Sequence, residues 1–355
     1  MISSQSLQNG WAKAHNILVM RLDNIGDVIM TSPALRAIKE NLPDSRLTLM
    51  ASPGGAQAAA LLPWVDEVLP WRVLWQDLGK LEFDPAREWE LVKTLGDRHF
   101  DGAIIFSSFS QSPYPAGFLS YLAGIKLRLG ESKELGSGVL TTEIGAAPDE
   151  IHQVERNLRL VEAVGFQVSD RSLGIGINQA EATLLLEQHG LADTPYILLN
   201  PWTSCQSRNY DSERFAIAAR QLAEITNYPI VVTGVPKDRD RSAALLEKIA
   251  PWKIDAIGTT TLSQLAAFIA NAQLVLTNNT STMHIADATR TPTVVMFAGT
   301  EYESQWRPRH TLSRLLRRPT ACSPCYAFTC PYQLECLDIP PEEVVTAGLE
   351  LLKNH

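Results

Sequence analysis

Short apolar runs alternate with amphipathic helical segments along this 355-residue chain, and this alternation limits its fold more than any other feature. The run at 16–22 (NILVMRL) has the continuous apolar character of a parallel strand buried on both faces. A turn follows at 23–27, and helical spacing continues through 28–41, with Pro33 near the helix start, where proline is tolerated. Strand, turn and helix form the first half of a βαβ unit, and their repetition predicts an α/β fold with open parallel sheets.

The alternation falls into two series of strands and helices. The first series continues with strands at 46–51, 65–69, 102–107 and 125–130 and ends in a helix at 152–164. The second has strands at 196–200, 229–233, 274–277 and 293–297, helices at 212–226, 239–250, 262–271 and 281–289, and a last helix at 341–353. The length suits two domains. We expect Rossmann-like domains at 1–170 and 171–335, and a C-terminal helix at 336–355 that returns toward the first domain.

Charge and hydropathy exclude several classes of function. The net charge is -8 and the sequence pI is about 5.5, whereas general nucleic-acid binding needs a basic face. The N-terminus lacks the apolar core of a signal peptide, and no uninterrupted apolar stretch approaches a membrane span. The sequence predicts a cytoplasmic protein that does not bind nucleic acid, with peripheral contact at the inner face of the cytoplasmic membrane as an alternative.

Ligands of doubly wound sheets bind beyond the carboxyl ends of the strands, and this rule selects the loops 23–27, 201–211 and 277–284. The third loop crowds Asn279, Thr280, Ser281 and His284 at a helix start. Backbone N–H groups and the helix dipole there suit a diphosphate. The alternatives are plain N-capping by Thr and Ser, which needs no ligand, and a structural role for His284.

The other two loops carry a candidate phosphate ligand and a candidate base. Thr203, Ser204 and Arg208 follow the strand at 196–200, and the planar guanidinium of Arg208 suits a phosphate, with a surface salt bridge as the alternative. Asp27 follows Gly26, which permits a tight turn and the close approach of a ligand. A carboxylate in this position acts either as a base toward a hydroxyl or as a helix cap.

Cys322, Cys325, Cys330 and Cys336 cluster near the C-terminus. Four thiolates at short spacing can bind zinc or an iron–sulfur cluster, but the spacing matches no common paired-knuckle pattern. The alternatives are free thiols or a local disulfide in a loop that holds the C-terminal helix.

Several long segments, in the same order along the chain, resemble the family-nine glycosyltransferases, the heptosyltransferases of the lipopolysaccharide inner core. They are ILVMRLDNIGDVIMTSPALRAIKENLPDSRLTLMAS, NPWTSCQSRNYDSERFA, VVTGVPKD, LSQLAAFIANAQLVLTNNTSTMHIADATRTPTVVMFAG and CSPCYAFTCPYQLECLDIPPEEV. The resemblance implies a GT-B fold, in which two Rossmann-like domains face each other across a cleft. It also implies an ADP-heptose donor, inversion at the anomeric carbon and a lipid-linked glycan acceptor.

The resemblance also assigns roles to the candidate residues. It makes Asp27 the catalytic base and places the donor phosphates at Thr203, Ser204 and Arg208, where the family usually has lysine at the last position. The family's donor motif falls on Asn279, Thr280, Ser281 and His284, but Asn279 replaces an aspartate and Ser281 a glycine. These two departures keep open a transferase for another nucleotide sugar, and an inactive nucleotide-sugar-binding protein is a further alternative.

No cofactor is expected, and the reaction is expected to be independent of metal. Asp238 and Asp240 have the spacing of an Asp-x-Asp metal motif, but they belong to the start of a helix rather than to a suitable loop. A cation and preorganised dipoles can stabilise a departing diphosphate without a metal ion.

Overall fold

The computed structural model describes residues 7–8, 10–134 and 136–354, and these residues form two compact units. The first unit ends at Gly174 and the second begins at Ile175. The boundary expected from the sequence, at 170, lies just before this division.

Within the described residues, the first unit holds a six-stranded sheet in which all neighbouring strands are parallel. Its strands are β1 (Asn16–Arg21), β2 (Arg46–Ala51), β3 (Glu67–Pro70), β4 (Gly102–Ile105), β5 (Leu127–Ser132) and β6 (Thr142–Gly145). Its helices are α1 (Ile25–Ile29), α2 (Ser32–Asn41), α3 (Pro85–Gly96), α4 (Tyr114–Leu122) and α5 (Gln153–Glu162), with 3-10 helices at Trp11–Lys13, Gly55–Leu61 and Leu74–Gln76.

The described part of the second unit contains another six-stranded parallel sheet. Its helices are α6 (Gln179–Gln188), α7 (Ser212–Thr226), α8 (Arg239–Ile249), α9 (Leu262–Asn271), α10 (Ser281–Thr289), α11 (Glu303–Trp306) and α12 (Pro341–Lys353), with 3-10 helices at Gln206–Arg208, Pro236–Asp238 and Glu335–Leu337. Its strands are β7 (Ile197–Asn200), β8 (Ile230–Gly234), β9 (Lys253–Ile257), β10 (Leu274–Asn278), β11 (Thr293–Met296) and β12 (Ser313–Leu316).

The two sheets repeat one topology. The spatial order is β3-β2-β1-β4-β5-β6 in the first and β12-β11-β10-β7-β8-β9 in the second. Numbered within each unit, both read 3-2-1-4-5-6, the doubly wound Rossmann order, and the direction of winding reverses between the first and fourth strands. The predicted α/β class with two Rossmann-like parallel sheets is confirmed, and the loops at these two reversals are where a ligand is expected.

The helix predicted at 28–41 is wrong as a single element. It is divided into α1 and α2, with Met30 and Thr31 between them. A continuous helix would need an N–H of Pro33 for the carbonyl of Ile29, and proline has none. At the break, the carbonyl of Val28 accepts both the backbone N–H of Thr31 at 3.0 Å and its hydroxyl at 2.6 Å.

Each unit has its own apolar core. Leu18 and Met20 of β1 pack with Leu91 and Leu95 of α3 in the first unit, and Leu276 of β10 belongs to the core of the second. Helix α12 packs on α7 and on β10, β11 and β12 of the second unit. Its expected return toward the first domain stays a prediction.

None of the helices in the described part of the chain is both long enough and apolar enough to cross a membrane.

Candidate active site

A buried arginine organises the loops that follow β1 and β4, the two strands at the reversal of the first sheet. Arg21 is the last residue of β1, and its side chain has no solvent exposure. Its Nε lies 3.1 Å from Oδ2 of Asp23, and its Nη2 lies 3.1 Å from Oδ1 of Asp27. Nη2 also donates to the hydroxyl of Ser108 in the loop after β4, at 2.8 Å. The guanidinium therefore ties this loop to the Asp23–Asp27 turn.

Asp27 lies in the first turn of α1, and its side chain is 17% exposed. Its Oδ2 accepts a hydrogen bond from the backbone N–H of Asn24 at 3.1 Å. The capping role left open by the sequence is thus present, and an ion pair with Arg21 accompanies it. Gly26 is buried and helical, and its carbonyl accepts from Met30. The glycine therefore belongs to the helix rather than to a turn before it.

The neighbouring carboxylate, Asp23, has a perturbed titration. Burial raises the pKa of Asp23 above its ordinary value, Arg21 opposes this rise, and the charge of Asp27 adds to it. A hydrogen bond from the Gln111 side chain also acts to lower the pKa of Asp23. The two carboxylates of this turn therefore have different surroundings although they share one arginine.

In the second unit, the side chain of Asn278 joins the loops that follow β7 and β10. It is fully buried, and its Nδ2 donates to the carbonyl of Pro201 at 2.8 Å. Its Oδ1 accepts from the backbone N–H of Tyr210 at 3.1 Å. Both ends of the 201–211 loop are thus fastened to the end of β10, at the reversal of the second sheet.

Thr203 and Ser204 of this loop have different surroundings. Thr203 is nearly buried, and its hydroxyl is 2.6 Å from the carbonyl and 3.0 Å from the backbone nitrogen of Cys205. Its own backbone N–H donates to Oδ1 of Asn209 at 2.7 Å. The Ser204 residue is exposed. Thr203 therefore shapes the loop, and Ser204 is open to a ligand.

Arg208 is held by the loop that follows β11. Its Nε donates to the hydroxyl of Thr300 at 3.1 Å, and its Nη2 donates to Oε1 of Glu301 at 2.7 Å. The ion pair is half-buried, since the two side chains are 27% and 18% exposed. The salt bridge considered as the alternative for Arg208 is thus present. A phosphate would meet a guanidinium that is already oriented.

The start of α10 lacks the side-chain cap that was the alternative to an anion site. Thr280 is the N-cap residue in extended conformation, and its side chain makes no capping hydrogen bond. Ser281 opens the helix and is half-buried. His284, one turn in, is nearly buried and packs edge-on against Trp306 with ring centroids 6.4 Å apart. Helix N–H groups without a side-chain cap are suited to an anion.

Asn279 is buried beside this helix start and uses only one end of its amide. Its Oδ1 accepts from the backbone N–H of Ala298 at 3.1 Å, while Nδ2 has no hydrogen-bond partner among the described residues. This bond connects the loop after β10 to the loop after β11, so the loops after β7, β10 and β11 form one network. The unmatched N–H group is a donor at a position where the resemblance leads one to expect an aspartate.

The four clustered cysteines line a cavity of about 330 Å³ in the second unit. All are free thiols, and burial raises the pKa of Cys336 above its ordinary value. Among the described residues, which include these four, no group of three or more His, Cys, Asp and Glu side chains is arranged to hold a metal ion. A metal site at Cys322, Cys325, Cys330 and Cys336 stays a prediction.

The segment that carries these cysteines lies against the Arg208 network. The backbone N–H of Tyr326 donates to the carbonyl of Thr300 at 2.9 Å, and that of Cys330 donates to Oε1 of Gln206 at 3.0 Å. The N–H of Ser207 donates to the carbonyl of Phe328 at 3.1 Å. The segment therefore supports both loops that hold Arg208.

Sequence reasoning missed the loops after β4 and β11. They supply Ser108 and Gln111 in the first unit and Thr300 and Glu301 in the second. Both strands were predicted, and the rule that selects loops at the carboxyl ends of strands applies to them as well. A signal was therefore present in the polar residues that follow each strand.

Comparison with known proteins gives a consistent result. The sequence model of Glycosyltransferase family 9 (heptosyltransferase) matches residues 88–335. Lipopolysaccharide heptosyltransferase 2 of Escherichia coli (strain K12) is 25% identical over 297 residues, which are 79% of this chain and 82% of the relative. Lipooligosaccharide heptosyltransferase 2 of Campylobacter jejuni subsp. jejuni serotype O:2 is 23% identical and covers 93% of this chain and 96% of its own length.

Solved structures share the fold over nearly the whole chain. The glycosyl transferase family 9 structure from Veillonella parvula DSM 2008 has a TM-score of 0.78 at 20% identity and covers 99% of both chains. The structure of E. coli ADP-heptose lps heptosyltransferase II has a TM-score of 0.75 at 22% identity and covers 96% of this chain and 99% of its own. These likenesses confirm the GT-B fold that the resemblance implies, with a Rossmann-like sheet in each of the two units. Because the family model spans more than half of the sequence, the chain belongs to glycosyltransferase family 9, the heptosyltransferase family.

Proposed function

We propose that this protein is an inverting, metal-independent glycosyltransferase. It moves heptose or a related sugar from an ADP-activated donor to a lipopolysaccharide core or another surface-glycan acceptor. Family membership and the relatives named lipopolysaccharide heptosyltransferase 2 support the sugar and the acceptor class. The observation that carries the proposal is the bridge that Asn278 makes between the loops after β7 and β10, because it brings the candidate phosphate ligands to one end of the second sheet.

The donor diphosphate is proposed to bind at this end of the second sheet. The N–H groups at the start of α10 carry no side-chain cap, and the helix dipole favours a negative group there. Arg208 supplies a guanidinium whose planar fork matches a phosphate. Ser204 is exposed and supplies a hydroxyl, while the bonds of Thr203 fix the loop. His284 lies one turn into α10, and we keep it as a candidate ligand of the donor.

The chemical step is a single displacement with Asp27 as the base. Asp27 removes the proton of the acceptor hydroxyl, and a lone pair of the acceptor oxygen attacks the anomeric carbon. The bond to the ADP oxygen breaks on the opposite face, so the anomeric configuration inverts. The leaving diphosphate gains negative charge, which Arg208 and the helix dipole of α10 stabilise; preorganised groups of this kind can replace a metal ion. Product configuration by NMR and transfer in the presence of a chelator test these two features.

Substitution of Asp27 tests the assignment most directly. We expect Asp27→Ala to lower the rate of transfer by about 10²–10⁴-fold, because general-base catalysis contributes about that much. The matched control is Asp44→Ala, which removes an exposed carboxylate from the turn between α2 and β2. Thermal unfolding of both variants checks the fold. Wild-type turnover by a folded Asp27→Ala variant would exclude Asp27 as the base.

Asn279 favours a second candidate, a transferase that uses another nucleotide sugar. Its Nδ2 offers a neutral N–H group, whereas an aspartate would offer a charged acceptor, so a different chemical group of the nucleotide sugar would suit this position. A thermal-shift panel of ADP-, UDP-, GDP- and CMP-sugars separates the two classes, because a ligand that binds the native state raises its stability. ADP-heptose is expected to give the largest shift.

A third candidate is an inactive nucleotide-sugar-binding protein, and a turnover assay distinguishes it from an enzyme. An inactive protein would bind the nucleotide sugar without releasing the nucleotide in the presence of acceptor. A lipid-linked acceptor would bring the protein to the inner face of the cytoplasmic membrane as a peripheral partner. Sedimentation with vesicles that carry the acceptor, compared with vesicles that lack it, measures this contact.

A further inference from the structure

We propose that Arg21 is a positioning residue for which Asp23 and Asp27 compete, and that Asp23 thereby sets the basicity of Asp27. The inference rests on the proposed function, in which Asp27 takes the acceptor proton. The sequence pattern predicts only a turn at Asp23 and indicates no role for Arg21. The structure makes both of them part of the surroundings of the candidate base.

The position of Arg21 is fixed from three sides. Its side chain is inaccessible to solvent and contacts Asp23, Asp27 and Ser108 through Nε and Nη2. Nε and Nη1 are buried and have no hydrogen-bond partner within the described residues, so the contact of Nε with Oδ2 of Asp23 is an ion pair without hydrogen-bond geometry. A buried guanidinium is costly unless negative groups compensate it, so its two carboxylate contacts hold it in place. Arg21 can therefore orient Oδ1 of Asp27 while Oδ2 receives the N–H of Asn24.

The charges in this cluster do not balance. One guanidinium faces two carboxylates, so the cluster carries a net negative charge when both are ionised. Asp23 has a further partner, since Gln111 donates to its Oδ1 and is itself held by the N–H of Ser108 at 2.8 Å. The raised pKa of Asp23, caused first by burial and also by the charge of Asp27, agrees with this crowding.

Other elements around the cluster contribute polar or apolar groups rather than charges. The Ser52 hydroxyl at the end of β2 donates to the backbone carbonyl of Asp23 at 2.6 Å. The 3-10 helix Gly55–Leu61, which packs on α1, has the sequence GAQAAAL and carries no charged side chain. Among the residues that the structure describes around this turn, the charged contacts of Asp23 and Asp27 are Arg21 and each other.

This arrangement gives Asp23 a defined influence on the base. An ionised Asp23 repels negative charge on Asp27 and pairs with the same guanidinium. In Asp23→Asn the guanidinium of Arg21 would pair with Asp27 alone, so ionised Asp27 should persist to lower pH than in the wild type. In Arg21→Met the two carboxylates would repel each other with no cation between them, so ionisation of Asp27 should require a higher pH than in the wild type.

The test is the pH dependence of kcat in two variants that are expected to act in opposite directions. The acidic limb of kcat should move to lower pH by about one unit in Asp23→Asn. In Arg21→Met it should move to higher pH. The matched control is Asp66→Asn, because Asp66 in the same unit also pairs with a cation, Lys39, and accepts a backbone N–H, that of Leu47. The control should leave the acidic limb where it is in the wild type.

If Arg21 and Asp23 had only a structural role, both variants would be less stable, but the acidic limb of kcat would not move in opposite directions. An unmoved limb in folded Asp23→Asn would overturn the inference. If Arg21→Met does not fold, the isosteric Asp23→Asn variant decides alone, supported by ¹³C NMR titration of the Asp27 carboxyl. The proposed function fails separately, through an active Asp27→Ala variant. If Asp27→Ala is inactive and the acidic limb of kcat in Asp23→Asn is unshifted, only the competition for Arg21 is refuted.

Discussion

Both ends of the Asn278 side-chain amide are hydrogen-bonded to the loop that carries the candidate phosphate ligands. It is fully buried, and replacement by alanine would leave the N–H of Tyr210 and the carbonyl of Pro201 without these partners. Asn278→Ala should therefore lower the free energy of unfolding by about 1–3 kcal/mol, the usual cost of a buried polar group left unpaired. Denaturant titration measures this loss.

The same substitution should weaken the binding of ADP, the nucleotide product of the proposed reaction, because the 201–211 loop loses its attachment to β10. Isothermal titration calorimetry measures the affinity. Asn271→Ala is the matched control: Asn271 donates its Nδ2 to the carbonyl of Ala267 within α9, away from these loops in sequence. Equal ADP affinity in the wild type and in folded Asn278→Ala would argue against the bridge as a support of the donor site.

Single residues also show where sequence reasoning ends. Asp27, Arg208 and Thr280 could be selected from the sequence because each follows a predicted strand and has a suitable side chain. Asp27 can accept a proton, and Arg208 and Thr280 can bind a phosphate. Their partners could not be chosen in the same way, because Glu301 reaches Arg208 from a loop that is distant in sequence. Whether Thr280 caps its helix depends on side-chain torsions, which residue type alone does not determine.

At the scale of elements, the 3-10 helix Gly55–Leu61 determines how closely α1 and the Asp23 turn can approach it. A Cβ added to Gly55 would lie 2.4 Å from the backbone carbonyl oxygen of Asp23 and 3.2 Å from Cγ2 of Val28. Gly55→Ala should shift the turn that carries Asp23 and Asp27, lower kcat, and cost about 1–3 kcal/mol of stability, as overpacking does. Turnover and thermal unfolding measure the two effects.

The neighbouring glycine provides the control for this substitution. At Gly54 the nearest atom to an added Cβ is the Ser52 hydroxyl at 3.9 Å, and its φ of −71° suits any residue. Gly54→Ala should therefore retain wild-type turnover. The same loss of activity in both variants would show that helix composition, rather than contact with Asp23, matters here.

Three of the four edge strands were not predicted from the sequence; the fourth, β3, was predicted at 65–69. β6, β9 and β12 each lie at the edge of a sheet, and polar or charged residues interrupt them, as in KIDAI and SRLL. The central strands are buried on both faces and therefore appear as continuous apolar runs, which sequence analysis recognises. The polar and charged residues of β6, β9 and β12 leave no such run. The helices α3 and α4 were also not predicted.

For the whole molecule, one topology used twice accounts for the distribution of the candidate residues. In each unit the winding reverses between the first and fourth strands, and the polar groups collect on the loops that follow them. The first unit gathers carboxylates around Arg21, and the second gathers a helix start and Arg208. The sequence could predict this repetition because the strands near each reversal are buried, and buried strands are the most recognisable ones.

This distribution predicts which amides a nucleotide protects. ADP should slow hydrogen exchange in the loops 201–211, 279–284 and 297–301 of the second unit, and leave the 22–27 and 106–111 loops of the first unit unchanged. Local exchange reports the opening of such segments, and at a free concentration 100 times its Kd the ligand should stabilise the native state by about 2.7 kcal/mol. Arg208→Met should weaken this protection because the phosphate loses its cation. Protection centred on the 22–27 loop would instead place the nucleotide in the first unit and reverse the assignment of donor and acceptor sites.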